Sequence, residues 1–225
     1  MVDLHTHTLL SDGVLLPAEL VRRAQVLGAK AVAITDHADI SNLEVILPQI
    51  VSLANQVRQT DGITLIPGIE LTYVPPDQIS AMAQKARMLG ANLVLVHGES
   101  LVEQVIPGTN RAAIDAGVDI LAHPGLISSE EVKLAKKSRV FLELSARKGH
   151  CLTNGWLAKL ALKHRAGLLV NSDGHLPADL ITPERHRDVA LGAGLTASQY
   201  DHLLTETWQL VEKASARGKP KRSHG

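Results

Sequence analysis

The chain has 225 residues, of which 45% are hydrophobic, so it is long enough to fold as one large domain around a full core. Lysine plus arginine and aspartate plus glutamate both number 23, so the overall charge favours neither nucleic acid nor an anionic membrane as a partner. The lone cysteine, Cys151, excludes an internal disulfide, and neither an apolar run of membrane-spanning length nor a secretory signal is visible, so we expect a cytoplasmic protein.

Short apolar runs alternate with amphipathic segments along the chain. The runs are almost continuously apolar, which is typical of parallel strands covered on both faces, and the segments between them have helical spacing. This alternation predicts an α/β fold with a parallel sheet. The predicted strands are residues 2–8, 31–37, 63–70, 91–99, 118–125, 140–147 and 167–175. The predicted helices are residues 17–28, 42–62, 76–90, 109–117, 128–138, 154–167 and 196–213.

The end of the chain consists of a helix and a basic tail. We expect the helix over residues 196–213 to cover the outside of the fold. Residues 216–225 are basic and are predicted to form a flexible tail. Because residues 1–215 contain neither a linker nor a low-complexity segment, we expect them to form a single domain.

Six of the eleven histidines lie where predicted strands end. The carboxyl ends of parallel strands form the ligand-binding face in barrels and in open sheets, so these side chains are expected to share one site. Carboxylates occur at the same places, and imidazole with carboxylate suits zinc, manganese and iron. The set is too large for one tetrahedral ion, so two or three ions are expected. The candidate ligands are His5, His7, Asp12, His37, Glu70, His97, His123, Asp173 and His175.

The motifs that contain these residues follow one another in a recognisable order. "DLHTHTLLSDG", "AITDH", "PGIE", "VHGE", "LAHPG" and "NSDGH" together resemble the successive motifs of the polymerase and histidinol phosphatase (PHP) family. The resemblance extends from residue 2 to about residue 175. It implies a distorted (β/α)7 TIM-like barrel with three divalent metal ions, Zn, Mn or Fe, at the carboxyl-terminal face.

The resemblance also implies how the ligands are shared among the ions. His5, His7, Glu70 and Asp173 would hold the first ion; Glu70, His97 and His123 the second; and Asp12, His37 and His175 the third. Some members of the family have a histidine where this chain has Asp12.

Other charged residues near the motifs suggest supporting roles. Arg147 lies in "SARKG", a stretch similar to one found in some phosphatases of the family, and its planar guanidinium suits phosphate oxygens. The adjacent Lys148 would add a point charge. Asp36 faces away from its neighbour His37 on a strand, so we expect it to support the site rather than bind an ion.

Three further residues remain open. Glu99, two residues after His97, is either close to the site, where it can protonate the leaving group, or a solvated loop carboxylate. Arg185 and His186 follow the last motif and can reach the rim of the site.

The leading functional hypothesis is a metal-dependent phosphatase. A metal-activated hydroxide would attack the phosphate monoester of a small metabolite at a trinuclear site, with Arg147, Glu70 and Asp173 as catalytic residues. The alternative is a phosphodiesterase or 3′–5′ exonuclease that acts on nucleotides or DNA. Aromatic residues make up only 2% of the chain, which disfavours base stacking, so nucleic acid and membrane are not expected partners. A third hypothesis is a non-catalytic domain stabilised by metal.

Overall fold

The computed structural model describes residues 1–57 and 62–217. These residues form eight strands and eight α-helices. The strands are β1 (Val2–Asp3), β2 (Ala31–Ile34), β3 (His37–Ala38), β4 (Thr64–Leu71), β5 (Leu93–His97), β6 (Ile120–Ala122), β7 (Phe141–Ser145) and β8 (Leu168–Asn171). The helices are α1 (Pro17–Val26), α2 (Leu43–Val57), α3 (Ile79–Met88), α4 (Thr109–Asp115), α5 (Ser129–Ser138), α6 (Asn154–His164), α7 (Pro183–Gly192) and α8 (Ala197–Arg217). Strands and helices alternate except where β3 follows β2 and α8 follows α7.

The sheet runs in the order β1-β2-β4-β5-β6-β7-β8, and every pairing in it is parallel. The short β3 pairs with β4 beyond the end of β2, so the single run predicted over residues 31–37 becomes two strands. Seven strands in sequence, joined by helices, confirm the predicted (β/α)7 barrel.

The barrel closes between β1 and β8 without a regular ladder. One isolated parallel bridge joins Thr6 and Gly174. The Leu4 N–H donates to Asn171 Oδ1 at 2.8 Å, and the Ser172 N–H donates to Asp3 Oδ1 at 3.1 Å. Side chains therefore replace much of the backbone pairing at this seam, next to the segment that carries His5.

The last helix packs against the outer layer through Tyr200 and Leu203, as predicted, but its second half covers the end of the barrel at which the strands begin. Leu210, Val211 and Ala214 of α8 are buried in one cluster with the side chains that fill the barrel, among them Val2 and Leu4. An apolar face at the end of a helix and an open barrel interior bury one another. The helix also includes residues 216 and 217, which were predicted to belong to the tail; residues 218–225 lie outside the described residues.

One further helix, α7, differs from the expectation. The sequence pattern did not predict α7, although Thr182 caps it by accepting from the Arg185 N–H and Pro183 occupies its first turn. Pro48 lies inside α2, which continues from Leu43 to Val57. Within residues 1–57 and 62–217, no helix combines the length and apolar character needed to cross a membrane.

Candidate metal centre

The nine predicted ligands converge where the strands end. Each of four groups brings ligand atoms of three or four side chains within 4.8 Å of one another. Seven of the nine residues are buried, whereas His37 is partly exposed and Asp12 is exposed at the surface. The groups are His5, His7 and Glu70; His5, His123 and Asp173; His37, Glu70 and His97; and His7, Asp12, His37 and His175.

Glu70 lies at the centre of this arrangement. Its Oε2 is 3.2 Å from His5 Nε2, 3.5 Å from His7 Nε2 and 2.9 Å from His37 Nδ1. Its Oε1 is 3.5 Å from both His97 Nδ1 and His123 Nε2. One fully buried carboxylate thus faces five imidazoles, an arrangement suited to a ligand shared between ions.

Asp173 joins the same cluster from the opposite side of the barrel seam. Its Oδ1 is 3.3 Å from His7 Nε2 and 3.6 Å from His5 Nε2, and its Oδ2 is 3.6 Å from His123 Nε2. Asp173 has φ 53° and His123 has φ 26°, in the left-handed region that non-glycine residues rarely adopt. Such strained backbone is typical of functional sites, where surrounding structure holds the residue in place.

Asp12 forms an outer group with three histidines. Its carboxylate is 3.2 Å from His175 Nε2, 3.6 Å from His37 Nε2 and 4.0 Å from His7 Nδ1. The implied third ligand set contained Asp12, His37 and His175, and the geometry adds His7 to it. In the same way, His123 approaches the first set through Asp173 as well as the second through Glu70.

The inner part of the cluster holds many polar atoms that nothing satisfies. Among the described residues, His5 Nε2, both ring nitrogens of His7 and of His97, and both carboxylate oxygens of Glu70 are buried without a hydrogen-bond partner. An unsatisfied buried polar group costs about 1–3 kcal/mol. Lone pairs of nitrogen and carboxylate oxygen converging in this way are the donor set that divalent transition ions bind, so the residues fit a metal centre.

The charges at the centre are strongly interdependent. Burial disfavours the cationic form of His5, but Glu143, Glu70 and Asp173 together raise the pKa of its imidazole well above the ordinary value. Burial likewise disfavours ionised Glu70, but His5 and His37 hold the pKa of its carboxyl well below the usual range. Burial and the neighbouring His37 lower the pKa of His7. A protonated His5 beside ionised carboxylates occupies positions suited to cations, so metal binding should displace protons.

Glu143 was missed in the sequence, although it anchors two of the ligand residues. Its Oε1 is 2.8 Å from His5 Nδ1 and accepts from Asn171 Nδ2 at 2.7 Å, and its Oε2 accepts from the His123 N–H at 3.0 Å. A hydrogen bond from Nδ1–H leaves His5 Nε2 free to present a lone pair to an ion. The available signal was a charged residue in the middle of the apolar run of β7.

His150 and Glu103 were also missed. His150 is buried, with its ring centroid 4.0 Å from that of His123. Glu103 lies between two histidines, with Oε1 3.5 Å from His150 Nε2 and Oε2 3.7 Å from His97 Nε2. Burial, followed by the charges of His123 and His97, lowers the pKa of His150 to about 2, so its imidazole is neutral. Glu103 lies in a loop and His150 begins a short 3-10 helix, His150–Thr153, so no strand period indicates the direction of either side chain.

Arg147 lies beside the cluster, as expected. Its Nη1 donates to the Asp173 carbonyl oxygen at 3.2 Å, contacts His175 Nδ1 and is 3.8 Å from Asp173 Oδ1. The guanidinium is therefore held at the edge of the site, partly accessible to a bound anion. Lys148 is exposed.

Two further candidates, Asp36 and Glu99, accept hydrogen bonds from neighbouring parts of the chain. Asp36 accepts hydrogen bonds from the Thr8 N–H and the Ser11 hydroxyl, each at 2.7 Å, and so fixes the loop that carries Asp12. Glu99 is not merely solvated, because its Oε1 accepts from the N–H groups of Gly108 and Asn110 at 3.0 Å, at the start of α4.

The two candidates of α7 do not join the cluster. His186 is buried away from the rim, with Nδ1 3.0 Å from the Tyr200 hydroxyl of α8. Arg185 lines a cleft of about 380 Å³ together with Cys151 and Asp188.

A second cleft of about 380 Å³ opens onto the outer group of ligands. Its lining includes Asp12 and His37 together with Asp39, Tyr73 and Glu103, and contains neither lysine nor arginine among the described residues. Tyr73 is 61% exposed, with its ring centroid 6.0 Å from that of His97. The approach to the cluster is therefore acidic and partly aromatic.

Comparison with known proteins identifies the family. A family model described as "PHP domain" matches residues 3–181, which include all nine clustered residues. The chain belongs to the PHP domain family. The resemblance seen in the motifs of this PHP protein is thus confirmed over most of the chain.

Three relatives extend the comparison. A protein of Methanocaldococcus jannaschii named "Uncharacterized protein MJ1295" is 47% identical over 90% of this chain and 94% of its own length. A "Probable phosphatase" of Clostridium botulinum is 27% identical over 78% of this chain and 79% of its own length. The "5'-3' exoribonuclease Rnm" of Escherichia coli is 28% identical over 85% of this chain and 62% of its own length.

A solved structure shares the fold of this PHP protein. A chain in the cryo-EM structure of archaeal ribonuclease P with mature tRNA superposes with a TM-score of 0.73. The match covers 100% of this chain and 94% of the other, at 16% identity, and so concerns the fold alone.

Proposed function

We propose that this protein is a metal-dependent phosphatase that hydrolyses the phosphate monoester of a small metabolite at a three-ion centre. The observation that carries the proposal is Glu70, a buried carboxylate without a hydrogen-bond partner that faces five imidazoles. PHP membership and the names of the Clostridium and Escherichia relatives support the broader class of metal-dependent phosphoesterases.

Each part of the cluster has a distinct task in this proposal. His5, His7, Asp173 and Glu70 would hold a first ion, Glu70, His97 and His123 a second, and Asp12, His37 and His175 a third. Divalent ions held by these residues would supply Lewis acidity to the phosphoryl oxygens and would activate water for attack on phosphorus.

The protein groups around the ligands orient substrate and imidazoles. Arg147 is held by the Asp173 carbonyl at the edge of the site, where its remaining N–H groups can bind phosphoryl oxygens and balance their charge. Glu143 fixes the ring of His5, and Thr72 fixes that of His37 through a 2.6 Å contact between Oγ1 and Nδ1. A fixed ring keeps the ligand nitrogen aimed at the ion and lowers the reorganisation that the reaction requires.

The acidic cleft favours a small leaving group. A polyanionic strand lying along Asp12, Asp39 and Glu103 would meet carboxylates without a lysine or arginine in the described lining. A compact monoester needs only its phosphoryl group at the ions, with the remainder in the cleft of about 380 Å³.

A phosphodiesterase acting on nucleotides is the second candidate. It is favoured by the relative named 5'-3' exoribonuclease, whose similarity extends over 85% of this chain. Exposed Tyr73 at the cleft offers one surface on which a base can stack.

Substrate comparison with metal analysis tests these candidates. Protein of measured metal content is assayed with p-nitrophenyl phosphate, bis-p-nitrophenyl phosphate and short oligonucleotides labelled at either end. A phosphatase hydrolyses the monoester fastest, and His97→Ala abolishes that activity while the circular dichroism spectrum is retained. Faster turnover of the diester or the oligonucleotide would replace the first candidate with the second. Equal monoester activity in His97→Ala would reject the metal centre as the source of the activity.

A further inference from the structure

A cavity of about 360 Å³ lies at the end of the barrel where the strands begin, opposite the metal centre. Arg87 of α3, Asn92 before β5 and Arg217 at the end of α8 contribute polar groups to its wall. The rest of the lining is neutral, and none of the described lining residues carries a carboxylate. The cavity therefore presents hydrogen-bond donors and positive charge without a competing anion in its wall.

Asp119, behind this wall, holds both guanidinium groups in place. Its Oδ2 accepts from Arg87 Nη2 at 2.7 Å and from the Val94 N–H at 2.9 Å. Its Oδ1 accepts from Arg217 Nη1 at 2.9 Å, and the same Nη1 donates to the Asn92 carbonyl at 2.9 Å. The single carboxylate compensates one of the two positive charges, so the three residues together retain a net positive charge. Each arginine is anchored through one edge of its guanidinium group.

Two donors of the cavity wall are buried and unsatisfied. Arg87 Nη1 and Asn92 Nδ2 have no hydrogen-bond partner, although Asn92 is only 3% exposed. Leaving such groups unpaired costs about 1–3 kcal/mol each, and the cost is higher for a charged donor. Away from the metal centre, the only other described side chain with this condition is the buried His186.

We propose that this cavity is a binding site for a small oxyanion, such as an inorganic phosphate or sulfate or a phosphate group carried by a metabolite. Oxygens of the anion accept from Arg87 Nη1 and Asn92 Nδ2, and the free edge of Arg217 adds charge. Binding satisfies the two orphan donors and compensates the excess positive charge. Because Asp119 already fixes both arginines, little side-chain entropy is lost on binding.

The site is distinct from the proposed catalytic centre. Asn92 and Asp119 precede β5 and β6, whereas His97 and His123 lie at or beyond the ends of the same strands. The anion therefore binds across the length of the barrel from the ions, and its binding does not depend on them.

Sulfate titration of the metal-loaded protein at constant ionic strength provides the test, measured by calorimetry. Arg87→Lys retains a cation that can pair with Asp119 but loses Nη1, so sulfate affinity should fall at least tenfold. Asn92→Asp replaces the amide donor by a carboxylate, and sulfate binding should be lost. Gln199→Glu makes the same charge change on α8, roughly 27 Å along the helix from Arg217, and should bind sulfate as the wild type does.

Crystals soaked in selenate locate the anion independently of affinity. Anomalous scattering within hydrogen-bonding distance of Arg87 and Asn92 in the wild type, absent in Arg87→Lys, supports the site. Sulfate affinity unchanged in both variants, or an empty cavity in wild-type crystals, overturns it. Parallel titrations with acetate and phosphate distinguish a general carboxylate site from a tetrahedral oxyanion site, and a preference for acetate would also reject the proposal.

Discussion

Each end of the barrel contains a buried carboxylate, and the two carboxylates differ in whether they accept hydrogen bonds. At the end where the strands begin, Asp119 receives hydrogen bonds from two arginines and a backbone N–H. At the other end, Glu70 is equally buried, faces five histidines and has a hydrogen bond to neither oxygen. A satisfied carboxylate holds elements together, whereas an unsatisfied one among imidazoles is suited to an ion that is still to bind.

This contrast follows from the architecture of the barrel. Backbone and apolar side chains fill the middle, so polar groups gather at the ends. At the start of the strands, α8 buries apolar side chains over the barrel interior, and Asp119 pairs there with two arginines that are each 29% exposed. The carboxyl-terminal end is lined by loops whose residues can vary in chemistry without disturbing the sheet.

Of the substitutions considered, Glu70→Ala should have the largest effect, a loss of activity at the metal-binding end. Loss of the shared carboxylate should lower the kcat for p-nitrophenyl phosphate more than about 100-fold, since even supporting groups around ligands contribute 10- to 100-fold. Without metal, the free energy of unfolding should fall as well, because ionised Glu70 lies 3.2 Å from His5 and 2.9 Å from His37 and compensates their charge, although Glu143 and Asp173 still face His5. Activity, metal bound per chain and urea unfolding measure the three quantities. Glu130→Ala, an exposed glutamate on α5, serves as the control, and full activity in Glu70→Ala would contradict the role of Glu70.

Asp119→Asn should lower stability and leave activity nearly unchanged. The amide retains the shape of the side chain but loses the charge that pairs with Arg87 and Arg217. Removing one member of a buried ion pair costs about 3–5 kcal/mol, and because both arginines are 29% exposed we expect about 3 kcal/mol of unfolding free energy. The kcat of the folded enzyme should stay within about twofold, since this end does not touch the proposed site. A large loss of kcat with unchanged stability would reverse the assignment of the two ends.

Glu143→Gln tests whether Glu143 supports the metal ligand His5. The substitution keeps the volume of the side chain but removes the charge that holds the Nδ1–H of His5, so metal affinity should fall about 10- to 100-fold. Competition with a chelator of known affinity measures this change. Glu99→Gln provides a matched control, because the Glu99 carboxylate accepts from N–H groups at the start of α4. Equal metal affinity in wild type and Glu143→Gln would show that the contact with His5 has no such role.

The sequence was most informative at the strand ends. His5 and His7 follow a short strand, and their spacing of two correctly brought their rings together, with centroids 4.9 Å apart. The order of the motifs predicted a barrel of seven strands, which the pairing confirms. The first inference depends on the strand period of two, which a single sequence contains, whereas the barrel was implied by the resemblance of the motifs to the PHP family.

The roles of residues outside that periodicity could not be predicted from the sequence. The positions of Glu103 and His150 depend on loop conformations, and the contact of Glu143 with His5 joins strands that are far apart in the chain. The position of α8 over the end of the barrel follows from how much open interior the strands leave, which no window of sequence reveals. Local pattern therefore located the ligands, but tertiary packing decided what supports them.

The smallest expected effect is that of a substitution at His186. This residue shows that two buried histidines can have opposite pKa shifts when their surroundings differ. It is completely buried beside Tyr200, with no carboxylate in contact, whereas His5 faces three carboxylates. Burial and the N-terminal ammonium group lower the pKa of His186 to about 4, while burial beside carboxylates leaves the pKa of His5 raised.

The neutral form of His186 is therefore the one that the folded protein accommodates. In the unfolded chain its pKa is about 6.5, so its contribution is fully present above that pH and is lost as the pH falls towards 4. Between pH 7 and pH 5 this amounts to about 2 kcal/mol of unfolding free energy. His186→Gln cannot take up the proton, so its stability should fall less than that of the wild type over the same interval. Urea unfolding at both pH values measures the difference, and identical pH dependence in the two proteins would mean that the imidazole of His186 finds a way to be protonated without unfolding the helices around it.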